Sequence, residues 1–284
     1  MTVSHPIRFS ALPPSLIAGI GNIFARSHLE AKILELASLR ELVHHQEEEA
    51  LRREWLHREE QEKLSTLRYQ KRHVEWLGGR ICVKEALLAF LKSAGPLSAD
   101  VSAPRLRIVS APSGRPLLRQ GADSGTMAVP HISISHSGEY VMAVAATVPC
   151  GIDIQENRDA LGRVKEKFCD AAEEKMMMHL LAALAPSEHL TLLWAAKEAV
   201  KKGVILERMP GFLELRLHRI ESVLAPDHPG CFLFTFAFLV DNPGKAGAPP
   251  ASSSQFQALV CLHQGYGIGL CLSSSHSPTR SNYA

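Results

Sequence analysis

In the first third of the chain, apolar positions follow a helical period wherever they follow any. Residues 1 to about 26 show none. Leu29, Ile33, Leu36, Leu39 and Val43 then recur three or four apart and predict a helix over 28–45. Residues 47–63 are dense in charge around Trp55 and Leu56, the pattern of a solvated helix with a narrow apolar stripe. From Tyr69 to Ser93 a broader face, including Trp76, Leu77, Ile81, Val83 and Phe90, predicts a long helix that Gly95 and Pro96 stop.

Beyond residue 100 the period shortens to two. Strands are predicted at 106–109, 132–135, 140–147 and 151–155, with turns at 111–116 and 148–150. A helical block at 158–185, broken near Pro186, precedes a second strong helix at 190–203. The last third returns to strands at 212–217, 231–239, 256–262 and 267–272. The Pro-, Gly- and Ser-rich run at 241–254 sits between the second and third of these and reads as a hairpin insertion, not a domain linker. The order helix, strands, helix, strands predicts an α+β chain of two halves of similar plan, with no residue-level internal repeat to accompany it.

Bulk properties narrow the class without choosing a function. A chain of 284 residues with 46% hydrophobic content has room for one or two domains. Its 31 Lys and Arg against 29 Asp and Glu lack the basic excess of a nucleic-acid binder. The 14 His are scattered, without an H-x-x-x-H pair, and the six Cys form no C-x-x-C and sit in apolar runs. Buried free thiols follow. The apolar stretch at 13–25 is too short to span a bilayer and has little basic sequence before it, so no membrane association and a cytoplasmic location are expected.

Five short segments carry polar groups suited to chemistry. Glu198 and Lys202, within Trp-Ala-Ala-Lys-Glu-Ala-Val-Lys-Lys at 194–202, share a helix face; a surface ion pair explains them alone. Asp153, in Gly-Ile-Asp-Ile-Gln, is a carboxylate on an apolar strand; metal coordination and the capping of a nearby turn or helix both resolve that conflict. Gln155 shares its face. In Ile-Ser-Ile-Ser-His-Ser at 132–137, Ser135, His136 and a strand terminus can cradle phosphate, or form a Ser-rich turn. Arg115 in Ser-Gly-Arg-Pro, and Arg80 with Lys71, Arg72 and Lys84 nearby, suit an anionic ligand or a solvated basic face.

Taken in order, G-R-P, I-S-H-S, G-I-D-I and W-x-x-K-E-A-x-x-K resemble the 4′-phosphopantetheinyl transferase superfamily, in its larger surfactin-synthetase-activator type. The resemblance spans about 58–273 and is strongest over 113–202. It implies a pseudo-dimer of the holo-acyl-carrier-protein-synthase fold, each half a small antiparallel sheet on a long helix. The implied boundaries are a helical N-terminal extension at 1–57, a first half at 58–149, a metal-binding half at 150–276 and a disordered tail at 277–284. The implied reaction is Mg²⁺-dependent transfer of the phosphopantetheine arm of coenzyme A to a serine of an apo acyl or peptidyl carrier protein, releasing 3′,5′-ADP. The resemblance makes Asp153 and Glu198 metal ligands, with Glu198 also the general base, and sets Lys202 at the diphosphate. Ser135, His136, Arg115 and Arg80 fall at coenzyme A. A monomer is expected, and fatty-acid, polyketide and peptide synthases all stay open as the pathway served.

Two positions depart from the family pattern. Gln155 stands where a third acid is frequent, so it is a neutral candidate ligand and the metal rests mainly on two carboxylates. Ser133 replaces a frequent asparagine. The rival expectation is a weakly active or inactive member of the fold that binds carrier proteins. Glu173 resembles an acid preceding the catalytic helix in relatives, and Lys197 matches the motif with its role open.

Overall fold

The structure is a computed structural model that describes residues 7–44, 47–93, 101–119, 129–204, 209–223, 230–238 and 254–273. The expected helix stop at Gly95–Pro96, the hairpin insertion up to residue 253 and the tail at 277–284 lie outside these. The chain runs β1 (Phe9–Ser10), α1 (Pro14–Ile23), β2 (Leu29–Glu35), α2 (Leu36–His44), α3 (Glu48–Trp55), α4 (Arg58–Ser65) and α5 (Gln70–Ser93). Next come β3 (Arg107–Ser110), β4 (Pro116–Arg119), β5 (His131–Ser137), β6 (Tyr140–Ala146) and β7 (Cys150–Glu156). The remainder is α6 (Ala171–Leu180), α7 (Pro186–Gly203), β8 (Leu215–Ser222), β9 (Cys231–Phe238), β10 (Ser254–His263) and β11 (Tyr266–Leu272).

The fold is α+β, built from two antiparallel sheets ordered β1-β2-β6-β5 and β7-β11-β10-β9-β8, with a separate β3-β4 ribbon. Helix α5 lies on the first sheet and α7 on the second. Each helix encloses its own apolar core, the first including Leu77, Ile81 and Leu87, the second Leu193, Ala196 and Phe234. The opposite faces of the two sheets meet in a third core, where Ile33, Met142 and Val144 pack with Ile152, Ile154 and Ile268. Strand β11 is buried on both faces as a result. Burying apolar side chains is the main driving force for such an arrangement.

Several expectations change. The helix predicted over 28–45 is the strand β2 followed by α2. Leu29 and Ile33 are four apart, a spacing that also puts them on one face of a strand with Ala31, and β6 supplies the pairing partner. The N-terminal segment is therefore not simply a helical addition, because β2 is an inner strand of the first sheet. The charged stretch at 47–63 is two helices, since His57 caps α4 and forms a capping box with Glu60. Pro186 starts α7 instead of breaking a helix, as a ring without an N–H does well in a first turn. Strand β4 (Pro116–Arg119) follows the expected turn at 111–116, where no strand was predicted.

Two sets of buried contacts recur in the two halves, although β9 pairs with β10 and β4 does not pair with β5. Strands β2-β6-β5 and the β3-β4 ribbon follow in chain order and pairing the plan of β7-β11-β10 and β8-β9. Glu60 accepts the backbone N–H of His57 (2.9 Å) and of Ile108 (3.2 Å), and pairs with Lys84, which donates to Trp55 O at 2.8 Å. Glu173 accepts from Asp170 N (3.0 Å) and Leu217 N (2.8 Å), and pairs with Lys197, which donates to Phe168 O at 2.7 Å. Trp55 and Phe168, Glu60 and Glu173, Lys84 and Lys197 are each 113 positions apart (60 to 173, 84 to 197). The same offset superposes Lys84-Glu85-Ala86 on Lys197-Glu198-Ala199. The cross-strand pair Glu35–Tyr140 likewise matches Glu156–Tyr266, and the two tyrosine rings meet edge to face at 5.0 Å.

Candidate functional site

The site forms where β7, the edge of the second sheet, abuts β5, the edge of the first. An edge strand leaves outward backbone N–H groups that need partners. Here Ile152 N donates to Ser133 Oγ at 3.1 Å and Glu156 N to Ser137 Oγ at 3.0 Å. The alternating serines of Ile-Ser-Ile-Ser-His-Ser are thus a polar seam between the halves, with Ile132 and Ile134 turned to the α5 core.

Ser135, between these two, meets the buried acid. Its hydroxyl donates to Asp153 Oδ1 at 2.6 Å, and Lys202 Nζ from α7 reaches the same oxygen at 2.7 Å. Lys202 also donates to Ser135 Oγ (3.1 Å) and to Ile152 O (3.2 Å). Asp153 is 5% exposed, and its Oδ2 is buried without a hydrogen-bond partner among the described residues. Burial raises the Asp153 carboxyl above its ordinary value, against the lowering pull of Lys202, Ser135 and His136. Glu198, one turn before Lys202, is half-buried and accepts no hydrogen bond from a described residue. Burial raises its carboxyl too; Lys202 opposes the shift and the Asp153 charge adds to it.

Two clefts flank the seam. One of about 570 Å³ is lined by Arg115, Pro116, His131, Ser133, Lys201 and Lys202. Arg115, presented by the β3–β4 turn, donates to Val204 O at 2.6 Å and so ties that turn to the end of α7. His131, which sequence reasoning passed over, titrates lower than usual because of partial burial first and the Arg115 charge second. Its place two residues before Ser133 on the alternating face was the available signal. The other cleft, about 380 Å³, is lined by Arg40, Lys71, Glu75, Glu139 and Arg158. Half-exposed His136 has Nδ1 3.8 Å from Glu75 Oε1.

The structure joins Asp153, Ser135 and Lys202 at the seam, with Glu198 one helical turn from Lys202, Arg115 on the wall of the neighbouring cleft and His136 on the far side. Ser135 is committed to Asp153 and Lys202 instead of standing free for phosphate. Gln155 lies on the Asp153 face of β7, and its amide nitrogen donates to Glu156 O at 3.0 Å. Arg80 is not part of the seam. It is nearly buried, with Nε 3.4 Å from Glu60 Oε1 and its guanidinium 4.5 Å over the Trp76 ring. Its partner acid, on another helix, gives a local reason for the charge that sequence spacing could not supply. Glu173 and Lys197, whose roles sequence left open, are the buried anchor of α7.

Among the described residues, no three or more His, Cys, Asp or Glu gather in a group that could hold a metal. The Asp153 charge is felt at Glu198, and the orphan Asp153 Oδ2 is the kind of buried polar atom that a cation satisfies. This donor set fits a hard cation such as Mg²⁺, which commonly takes one or two protein carboxylates and fills its octahedron with phosphate and water oxygens. Among the described residues no helix is long and apolar enough to cross a membrane.

No protein-family model matches the chain, and no curated protein matches it. Among solved structures it is similar to the holo-ACP synthase of Plasmodium yoelii at 15% identity and a TM-score of 0.35, over 42% of this chain and 91% of that one. The holo-acyl-carrier-protein synthase of Neisseria meningitidis is similar at 18% identity and a TM-score of 0.36, over 42% and 95%. The ACPS–CoA complex of Chronobacterium ammoniagenes is similar at 19% identity and a TM-score of 0.35, over 42% and 95%.

Proposed function

We propose that the chain is a 4′-phosphopantetheinyl transferase that uses coenzyme A, Mg²⁺ and an apo carrier protein. The observation that carries this reading is the seam itself. Segments resembling the superfamily's motifs put Asp153, Ser135 and Lys202 in contact, with Glu198 one turn along α7 and Arg115 on a cleft with cationic walls, and that supports the reading.

The residues divide the work as follows. Arg115 and Lys202 place positive charge where a diphosphate would lie, and repulsion of an incoming nucleophile by phosphate is the main barrier they lower. Asp153 and Glu198 would hold Mg²⁺, which when bound supplies further charge neutralisation at the diphosphate. Glu198 accepts the proton of the carrier serine as its oxygen bonds to the β-phosphorus of coenzyme A. The bond from that phosphorus to the 3′,5′-ADP oxygen breaks, and Lys202 offsets the charge left there. Ser135 and Lys202 fix the Asp153 carboxylate so that its free oxygen faces outward from the hydrogen bonds that hold Oδ1.

The decisive test mixes the protein with Mg²⁺, coenzyme A and a panel of apo acyl and peptidyl carrier proteins, and weighs the carriers by mass spectrometry. A gain of one phosphopantetheine is expected on at least one of them. No gain on any carrier, with a known transferase working alongside, would sink the proposal.

The raised carboxyls give a pH prediction. Protons compete with a cation for Asp153 and Glu198, and both shifts are upward, so cation affinity should fade as pH falls while still above the ordinary carboxylate range of about 4. Titration with Mn²⁺ by calorimetry at a series of pH values reads this directly; affinity that holds unchanged down to roughly pH 4 counts against the two-carboxylate site. Without a cation the sign for stability is opposite. A carboxyl whose folded pKa is raised favours the fold while neutral, and that contribution is lost as pH rises through the folded pKa.

A further inference from the structure

We infer that the first half holds a converted copy of the carboxylate site, in which Lys32 supplies from within the chain the positive charge that a divalent cation supplies beside Asp153 and Glu198. The inference rests on the proposed cation site of the second half and deepens it by setting how many such sites one chain carries.

Strand register and helix offset locate the copy. Asp153 lies three residues before Glu156, the partner of Tyr266, and Lys32 lies three residues before Glu35, the partner of Tyr140. In both strands the neighbours on either side, Ile152 and Ile154 or Ala31 and Ile33, enter the core between the sheets. Alternation therefore turns Asp153 toward α7 and Lys32 toward α5. On the helices, Glu85 stands at the position of Glu198, and Ala89 at that of Lys202. The set acid, acid, lysine of the second half becomes lysine, acid, alanine in the first.

Charge accounts for the change. Asp153, Glu198 and Lys202 sum to one negative charge in a buried setting, which invites a cation. Lys32 and Glu85 sum to zero. Cys82, three residues before Glu85 on α5, has its Sγ 3.4 Å from Lys32 O, and its buried thiol titrates upward from desolvation first, with Glu85 adding to the shift and Lys32 opposing it. Both charges are therefore felt at one point of the α5–β2 contact. The outer edge of β2 is closed as well. Strand β1 pairs with it through Phe9 and Ser10, where β7 instead meets the hydroxyls of β5. A lysine in place of the strand acid on the α5 face of β2 leaves one cation site per chain.

The test is the Mn²⁺ stoichiometry of the full chain by electron paramagnetic resonance, together with thermal melts in chelator. Wild type should bind one Mn²⁺. Lys32→Asp should bind two, and adding Glu85→Gln to it should return the count to one. A folded Lys32→Asp protein that still binds one overturns the inference. A second measurement does not depend on metal or on that variant folding. Lys32→Met and Glu85→Gln should each lower the melting temperature, and together lower it by less than the sum of the two shifts; additive shifts overturn the inference. If wild type binds no Mn²⁺, the cation reading of Asp153 and Glu198 fails, and the melts alone decide the role of Lys32.

Discussion

Glu198→Gln is expected to lower the rate of phosphopantetheine transfer by about a thousandfold while leaving the fold unchanged. The substitution keeps the size and shape of a half-buried side chain that makes no hydrogen bond to a described residue, so packing has little to lose. What it removes is a charge and a proton acceptor. A positioned general base contributes roughly a hundred- to ten-thousandfold, and loss of one of only two carboxylates weakens the cation site in addition. Steady-state kinetics at saturating coenzyme A and carrier, beside a circular-dichroism melt, separates chemistry from folding. The control is Glu85→Gln, the same substitution at the matching position of the first half, which should leave the transfer rate unchanged. Wild-type turnover by the Glu198 variant, or an equal loss in both variants, would remove Glu198 from the role of base.

That contrast marks what the sequence made legible. Asp153, Glu198 and Lys202 could be chosen because their motifs are short and ordered, and the structure joins Asp153 to Lys202 at the seam, with Glu198 one helical turn from Lys202. The serines were visible but their work was not. Nothing in Ile-Ser-Ile-Ser-His-Ser indicates that two hydroxyls complete the edge of a strand nineteen residues further on, because that need arises only once two sheets meet. Strand β2 was hidden by arithmetic, since a spacing of four satisfies both a helix face and a strand face. The repeat was present in the letters. Lys-Glu-Ala occurs at 84–86 and again at 197–199, but three identities over a 113-residue offset become evidence only when two buried ion pairs and two capping boxes fall on the same offset. Arg80 needed the structure for a related reason. A basic side chain beside a glycine pair is compatible with a ligand, and only the structure shows that it also meets Glu60, which belongs to the anchor of the first half.

The anchor itself carries the largest expected stability effect. Lys197 is fully buried and gives its ammonium to Phe168 O (2.7 Å), Phe212 O (3.0 Å) and the Glu173 carboxylate (2.7 Å). Burial pulls the Lys197 ammonium below its ordinary pKa, with Glu173 opposing the shift. Lys197→Met keeps the volume of the stem but leaves the Glu173 carboxyl, 2% exposed, without its counter-charge. Removing one member of such a pair costs about 3–5 kcal/mol, far more than the net worth of the pair, because the remaining charge is stranded in a dry interior. For a chain of this size the melting temperature should fall by roughly 10 °C. Lys197→Met combined with Glu173→Gln should recover part of the loss, since the neutral amide keeps one acceptor for the Leu217 N–H and removes the stranded charge. The single substitution should also slow transfer more than the unfolded fraction accounts for, because Lys197 fixes the rotation of α7, which carries Glu198 and Lys202. A Lys197→Met protein that melts with wild type, or a double variant worse than the single, would show that α7 is held by its apolar face and not by this pair.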